Sequence, residues 1–217
     1  MKYSGILFDL DGTLLDTLDD LANSMNVVLQ KHGFPVHDTE KYKYFIGNGM
    51  ETLVKRVLPA ANSEDKKLRE ACLEEFRTEY GRRWHEQTKP YDGINQLLDA
   101  LETKGIQLSV LSNKADSFTR IIIERYFGSQ RFRFVFGARE GVPKKPDPGS
   151  ALEIAGLSGI PAAKYLYLGD SGVDMQTATA AGMYAVGAAW GFREEEELLQ
   201  NGARVVIKQP EELLALL

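Results

Sequence analysis

Three apolar residues followed by an acid constrain this fold more than any other feature. Ile6, Leu7 and Phe8 run without polar alternation, so a strand here has both faces covered. The run stops at Asp9, and Asp11, Gly12 and Thr13 follow. A strand apolar on both faces belongs inside a sheet with helices on each side. Its carboxyl end then carries two acids, and burying such groups costs several kcal/mol (roughly) unless a cation meets them. The carboxyl ends of strands are also where open α/β sheets bind ligands. Asp9 and Asp11 are therefore candidates for a metal-assisted site. A calcium loop starting at Asp9 would need Gly at its sixth position and Glu at its twelfth, where Leu14 and Asp20 stand. A hairpin turn at Asp11-Gly12 is disfavoured because Leu14 to Leu29 reads as helix rather than as a returning strand.

After this strand the pattern is helical for a long stretch. Leu18, Leu21, Ala22, Met25, Val28 and Leu29 form one apolar face, which Gly33 and Pro35 end. Asp38 reads as the cap of a short helix through Tyr44, and Gly47-Asn48-Gly49 as a loop. Met50 to Val57 is amphipathic, and Ser63 reads as the cap of a longer helix through Trp84. From Pro90 onward helices and strands alternate: helix Ile94–Lys104, strand Gln107–Leu111, helix Phe118–Tyr126, strand Phe134–Phe136, helix Ser150–Ala155 ending at Gly156 and strand Tyr165–Leu168. Helix Val173–Ala181, strand Tyr184–Val186, helix Glu194–Gln200, strand Arg204–Ile207 and helix Glu211–Leu216 complete the chain. Alternation of this kind predicts right-handed βαβ units and a parallel sheet. The expected fold is α/β, a doubly wound, Rossmann-like parallel-sheet core formed by residues 1–15 and 90–217, interrupted by an α-helical cap over 16–89.

Three strands end in chemistry-bearing groups: the first in Asp9 and Asp11, a second in Ser112 and Asn113, a later one in Asp170 with Asp174 four residues on. Lys144 and Lys145 stand in a loop bounded by Pro143 and Pro148. Acids gathered at one place repel each other, and a hard divalent cation such as Mg²⁺ resolves this by pairing a few carboxylates with a phosphate oxygen. A lysine would then neutralise the phosphoryl group.

Charge and cysteine count exclude several classes. A net charge of -5 argues against a nucleic-acid binder working by bulk charge. The single cysteine, Cys72, excludes a disulfide framework and a multi-cysteine zinc site, and reads as a buried helix position. The apolar run before Asp9 is too short for a signal-peptide core, and no stretch suits a membrane span. The expectation is a cytoplasmic protein, monomer or dimer, whose partner is a small phosphorylated metabolite rather than nucleic acid or membrane. His32, His37 and His85 are isolated and are expected at the surface.

Four motifs in order carry a family resemblance: Asp9-Leu10-Asp11-Gly12-Thr13, Ser112-Asn113, Lys145-Pro146, and Gly169-Asp170 with Asp174. The chain resembles haloacid dehalogenase-superfamily phosphatases with a helical cap inserted after the first strand. Within them it is similar to phosphoglycolate phosphatases, on Asp16-Thr17, Asp20-Leu21-Ala22, Asn26, Gly33, Gly47-Asn48-Gly49, Pro90-Tyr91-Asp92-Gly93 and Ser112-Asn113-Lys114. The resemblance implies that Asp9 is the nucleophile and that Asp11 protonates the leaving oxygen and later takes a proton from water. Asp9, the backbone carbonyl of Asp11 and Asp170 would hold Mg²⁺, with Asp174 supporting that site. Ser112 and Lys145 would bind the transferring phosphoryl oxygens, and Asn113 would hold the phosphate or orient Asp9. Thr13 is expected to be a structural hydroxyl and Lys144 a solvated neighbour of Lys145. Gly47, Asn48 and Gly49 in the cap are the candidates for reading the leaving group. A β-phosphoglucomutase-like phosphomutase and a pyrophosphatase are the alternatives; such a mutase leads one to expect a His soon after Asp16-Thr17, and none stands there.

Overall fold

The computed structural model describes residues 2–217 and divides into two compact units, one of residues up to Leu15 together with Pro90–Leu217, the other Asp16–Lys89. The chain passes between them through two short strands that pair, β2 (Leu15–Asp16) and β3 (Lys89–Pro90).

The first unit is built on a six-stranded parallel sheet. Its strands are β1 (Gly5–Phe8), β4 (Gln107–Ala115), β5 (Phe134–Ala138), β6 (Tyr165–Gly169), β7 (Tyr184–Ala188) and β8 (Val205–Ile207), in the spatial order β5-β4-β1-β6-β7-β8. β1 lies between β4 and β6, with Phe8 level with Val110 on one side and Leu168 on the other. This is the point at which the strand order reverses, so a crevice opens at the carboxyl end of β1. All four residues of β1 are buried, as a strand covered on both faces requires. Leu7 packs with Ala151 and Ile154 of α7 (Gly149–Ser158) and Met175 and Ala178 of α8 (Gly172–Ala180). Ile6 and Phe8 face the other way, and Phe8 meets Phe132 edge to face. α5 (Ile94–Thr103), α6 (Asp116–Phe127) and α9 (Glu195–Gln200) complete the helices of this unit.

The second unit holds α1 (Leu18–Lys31), α2 (Thr39–Phe45), α3 (Met50–Val57) and α4 (Lys66–Arg83). α1 buries Leu21, Ala22, Met25, Val28 and Leu29, and α4 contributes Cys72, Phe76 and Tyr80. Two of its polar side chains tie chain segments together, while the buried Thr17 hydroxyl has no partner among the described residues. Asp20 accepts from the backbone N–H of Gln87 and from both the N–H and the hydroxyl of Thr88. The Asn26 amide exchanges hydrogen bonds with the His37 backbone and accepts one from the Tyr42 hydroxyl.

Several local expectations are revised. α4 is capped by Asp65, whose carboxylate accepts from Leu68 N–H, while the Ser63 hydroxyl is spent on the Ala60 carbonyl. α7 runs through Gly156 and stops at Gly159, where φ is 70°. β4 continues past Leu111, so Ser112, Asn113 and Lys114 are extended chain, with the pairing to β5 shifting register between Leu111 and Ala115. The last segment, Pro210–Leu216, is a 3₁₀ helix. His32 and His37 are half-buried ties inside the helical unit, His32 to Glu75 and His37 to the Val57 carbonyl, and only His85 is exposed.

Candidate active site

The site grows from the carboxyl ends of β1, β4 and β6. After Phe8 the chain makes a compact turn in which the Leu10 carbonyl accepts from the N–H groups of Thr13, Leu14 and Leu15. Gly12 permits this turn: its φ is 87°, and a Cβ there would lie 2.2 Å from Asp170 Oδ2. The turn thus brings the β1 end against the β6 end. Thr13 donates its hydroxyl to Asp170 Oδ1 at 3.2 Å, and the other oxygen accepts from Phe192 N–H at 2.8 Å. Thr13 therefore positions an acid through its hydroxyl.

Three acids surround one lysine. Lys145 Nζ lies 2.8 Å from Asp9 Oδ1 and 2.6 Å from Asp174 Oδ1, with both carboxylates and the ammonium buried. Carboxylate oxygens of Asp9, Asp170 and Asp174 all lie within 4.8 Å of one another. Burial first, and the charge of Asp174 second, raise the Asp9 carboxyl well above the usual range, against the pull of Lys145. The same two causes push Asp170 up to about 7, opposed by the Phe192 N–H and Arg193. For Lys145 burial disfavours the charge, yet Asp174 and Asp9 outweigh it and hold its pKa well above the ordinary value. One lysine cannot neutralise three acids, and these hard oxygen donors suit a divalent cation.

Asp174 is held from every side. It caps α8 reciprocally with Ser171, accepting from the Ser171 N–H and hydroxyl through Oδ2, while Oδ1 also receives the Tyr167 hydroxyl at 3.3 Å. This saturation fits a supporting role toward a cation.

The expected residues of the first unit come together, with some shifts of role. The Asn113 amide is bonded twice to the Lys145 backbone, Nδ2 to its carbonyl at 3.2 Å and Oδ1 from its N–H at 3.0 Å. These two bonds fix the backbone from which the lysine side chain extends. Ser112 Oγ accepts from Lys114 N–H at 3.1 Å, which leaves its hydroxyl proton to donate. Lys144 is exposed, in contrast to Lys145. Gly47, Asn48 and Gly49 belong to the helical unit, in the turn between α2 and α3, where Gly47 and Gly49 have φ of 105° and 88° and the Asn48 carbonyl accepts from the Thr52 hydroxyl.

Two contributors were missed in the sequence. Lys114 forms a buried ion pair with Asp11, Nζ to Oδ2 3.1 Å. The segment after β7 closes on the acids: Trp190 donates its indole N–H to the Thr13 carbonyl, and a Cβ on Gly191 would lie 2.2 Å from that of Asp170. The strand-end argument that singled out Ser112 applies equally to β7, and adjacency to Ser112-Asn113 was the available signal for Lys114.

Residues 6–188 match the haloacid dehalogenase-like hydrolase family. The chain belongs to that family. It is 31% identical over 212 residues to the phosphoglycolate phosphatase of Pseudomonas savastanoi pv. phaseolicola, covering 96% of this chain and 78% of that protein. The corresponding protein of Pseudomonas syringae pv. syringae is 32% identical over 213 residues, with the same coverage. Among solved structures, a predicted phosphoglycolate phosphatase from Haemophilus somnus superposes with a TM-score of 0.92 at 25% identity, covering 100% of this chain and 98% of that one. The β-phosphoglucomutase of Clostridium difficile shares the fold, with a TM-score of 0.76 at 20% identity over 97% of this chain and 93% of that one. The expected family, its phosphoglycolate phosphatase-like character and its class as a phosphoric monoester hydrolase are thereby supported. No helix among the described residues is long and apolar enough to cross a membrane.

Proposed function

We propose that this chain is a cytoplasmic, Mg²⁺-dependent phosphatase of small phosphomonoesters, with 2-phosphoglycolate as its substrate and a phosphoryl group carried transiently on Asp9. The observation that carries this reading is the buried Lys145 ammonium between Asp9 and Asp174, with Asp170 alongside. Asp9 is the carboxylate whose surroundings hold it rigidly at the end of the central strand, which suits an attacking group. Lys145 offers a fixed positive charge beside it, where phosphoryl oxygens gather charge during transfer. Ser112 adds a hydroxyl donor, and Asn113 sets the backbone from which Lys145 reaches in. Asp11 donates a proton to the leaving oxygen, then accepts one from the water that releases phosphate. Asp9, Asp170 and the Asp11 carbonyl would hold the cation, supported by Asp174; when bound, it neutralises phosphoryl charge as a Lewis acid. Choice of leaving group is then left to the helical unit, with Gly47, Asn48 and Gly49 the proposed readers.

The test is hydrolysis of p-nitrophenyl phosphate with Mg²⁺ and with EDTA, followed by a panel holding 2-phosphoglycolate, sugar phosphates and pyrophosphate. Expected are Mg²⁺-dependent release of phosphate and the highest kcat/KM on 2-phosphoglycolate. Equal turnover in EDTA would remove the metal from this reading. Preference for pyrophosphate would replace the substrate.

A further inference from the structure

We infer that Lys114 is a positioning residue that fixes which oxygen of Asp11 handles the proton. The inference rests on the phosphatase reading above and deepens it. Asp11 sits in the turn after β1, where its side chain is 14% exposed. An unrestrained carboxyl in such a turn presents either oxygen in several rotamers. Lys114 removes that freedom. Its side chain is 3% exposed and its ammonium lies 3.1 Å from Oδ2, while Oδ1 is buried with no hydrogen-bond partner among the described residues. The two oxygens are thus unequal: one is anchored by the ammonium, the other has no partner.

Lys114 is itself held firmly. The shifted register at the end of β4 places it in the chain. Its N–H donates to Ser112 Oγ, its carbonyl accepts from the Thr119 hydroxyl, and its ammonium lies 5.9 Å from the Phe118 ring centre. An ammonium donates only, so whichever protonation state Asp11 adopts, Oδ2 faces a donor and cannot carry a proton towards it. The exchangeable proton is confined to Oδ1. In the first half-reaction the bond from phosphorus to the leaving oxygen breaks, the bond to Asp9 forms, and the Oδ1 proton passes to the leaving oxygen. In the second, water oxygen bonds to phosphorus, Asp9 is released, and Oδ1 takes the proton back. Buried lysines are costly, and one whose ammonium lies 3.1 Å from a carboxylate at the end of the central strand points to that carboxylate's orientation as its use.

Lys114→Met keeps the apolar stem and removes the donor; Lys114→Gln keeps a neutral donor. The readout is kcat/KM, which reports phosphoryl transfer to Asp9, on an alkyl phosphate and on p-nitrophenyl phosphate. Nitrophenolate leaves without a proton, so it does not need Asp11 in that step. Lys114→Met is expected to lower kcat/KM for the alkyl ester by roughly 10- to 100-fold and for the aryl ester by less than about threefold, with Lys114→Gln between parent and Met. In an Asp11→Asn background the same substitution should change the alkyl ester rate by less than about twofold. Equal losses on both esters, or a full loss added on top of Asp11→Asn, would overturn the inference and make Lys114 a structural or substrate-binding group. If the parent hydrolysed neither ester, the phosphatase reading itself would fall instead. A melting curve separates either result from misfolding; should Lys114→Met fail to fold, the Gln variant is read by the same ratio.

Discussion

Asp20 and Asp170 are equally buried, each 1% exposed, yet they belong to opposite kinds of environment. Asp20 in the helical unit meets three donors from Gln87 and Thr88. Asp170 in the α/β unit meets a hydroxyl and one N–H, with Asp9 and Asp174 within reach of its oxygens. A buried carboxylate with its donors matched ties chain segments together. A cluster in which acids outnumber cations stores an affinity for a cation or for a ligand that brings one. The helical unit spends its buried polar groups on architecture, the core on chemistry, and substitutions should separate the two.

The largest effect is expected at Asp9. Asp9→Asn removes the attacking oxygen and should lower turnover of p-nitrophenyl phosphate at least about a thousandfold, as loss of a nucleophile does. It also relieves repulsion from Asp174 and Asp170, so the melting temperature of the metal-free protein should not fall. Turnover within tenfold (about one order of magnitude) of the parent would take Asp9 out of the nucleophile's role. Next comes Lys145→Ala, with an expected loss of about two to four orders of magnitude if its charge acts on the developing phosphoryl charge. Lys144→Ala, on an exposed neighbour, should leave kcat/KM close to the parent. Matching losses from both would mean that the loop acts as a unit.

In the helical unit the corresponding substitution should read out as stability. Asp20→Ala orphans the Gln87 and Thr88 donors and is expected to cost about 2–4 kcal/mol in urea unfolding, while the folded fraction still turns over. If activity vanished without a loss of stability, Asp20 would belong with the catalytic acids and the contrast would fail. A pH series sharpens the contrast from the other side. The Asp170 carboxyl is raised from 3.8 to about 7 in the folded metal-free protein. Between those values the folded form retains a proton that the unfolded chain has released, so its stabilising effect is complete below the lower value and is lost as pH rises through the upper one. Melting in EDTA should therefore decline from about pH 4 to about pH 7, and the gain on adding Mg²⁺ should grow over the same interval. Asp170→Asn should flatten that part of both trends, and an unchanged slope would assign it to another group. The smallest effect is expected at the turn in the helical unit. Replacing Gly47 and Gly49 by Ala should cost about 1 kcal/mol each because both have positive φ, and should reorder the substrate panel while Mg²⁺ dependence stays the same. A uniform slowing across the panel would make this loop a structural turn.

The sequence by itself determined the α/β class, the long helical stretch between the first strand and Pro90, and the acids at strand ends. Those follow from patterns local to the chain: continuous apolarity in Ile6–Phe8, helical spacing from Leu18 to Leu29, and the rule that ligands gather at strand carboxyl ends. What the tertiary structure decided concerns pairs far apart in sequence. Lys145 meets Asp9 and Asp174 because the β1, β6 and α8 ends converge, and Asn113 turns to the Lys145 backbone across 32 residues of chain. No local pattern encodes which carboxylate a lysine will face, so Lys114 looked like the tail of a motif until its ammonium was found on Asp11. The same holds for Gly191, whose missing Cβ makes room for Asp170. Local periodicity specifies elements because it is summed over many residues. Partnerships among single buried charges depend on one approach between two elements, and only the folded chain makes it.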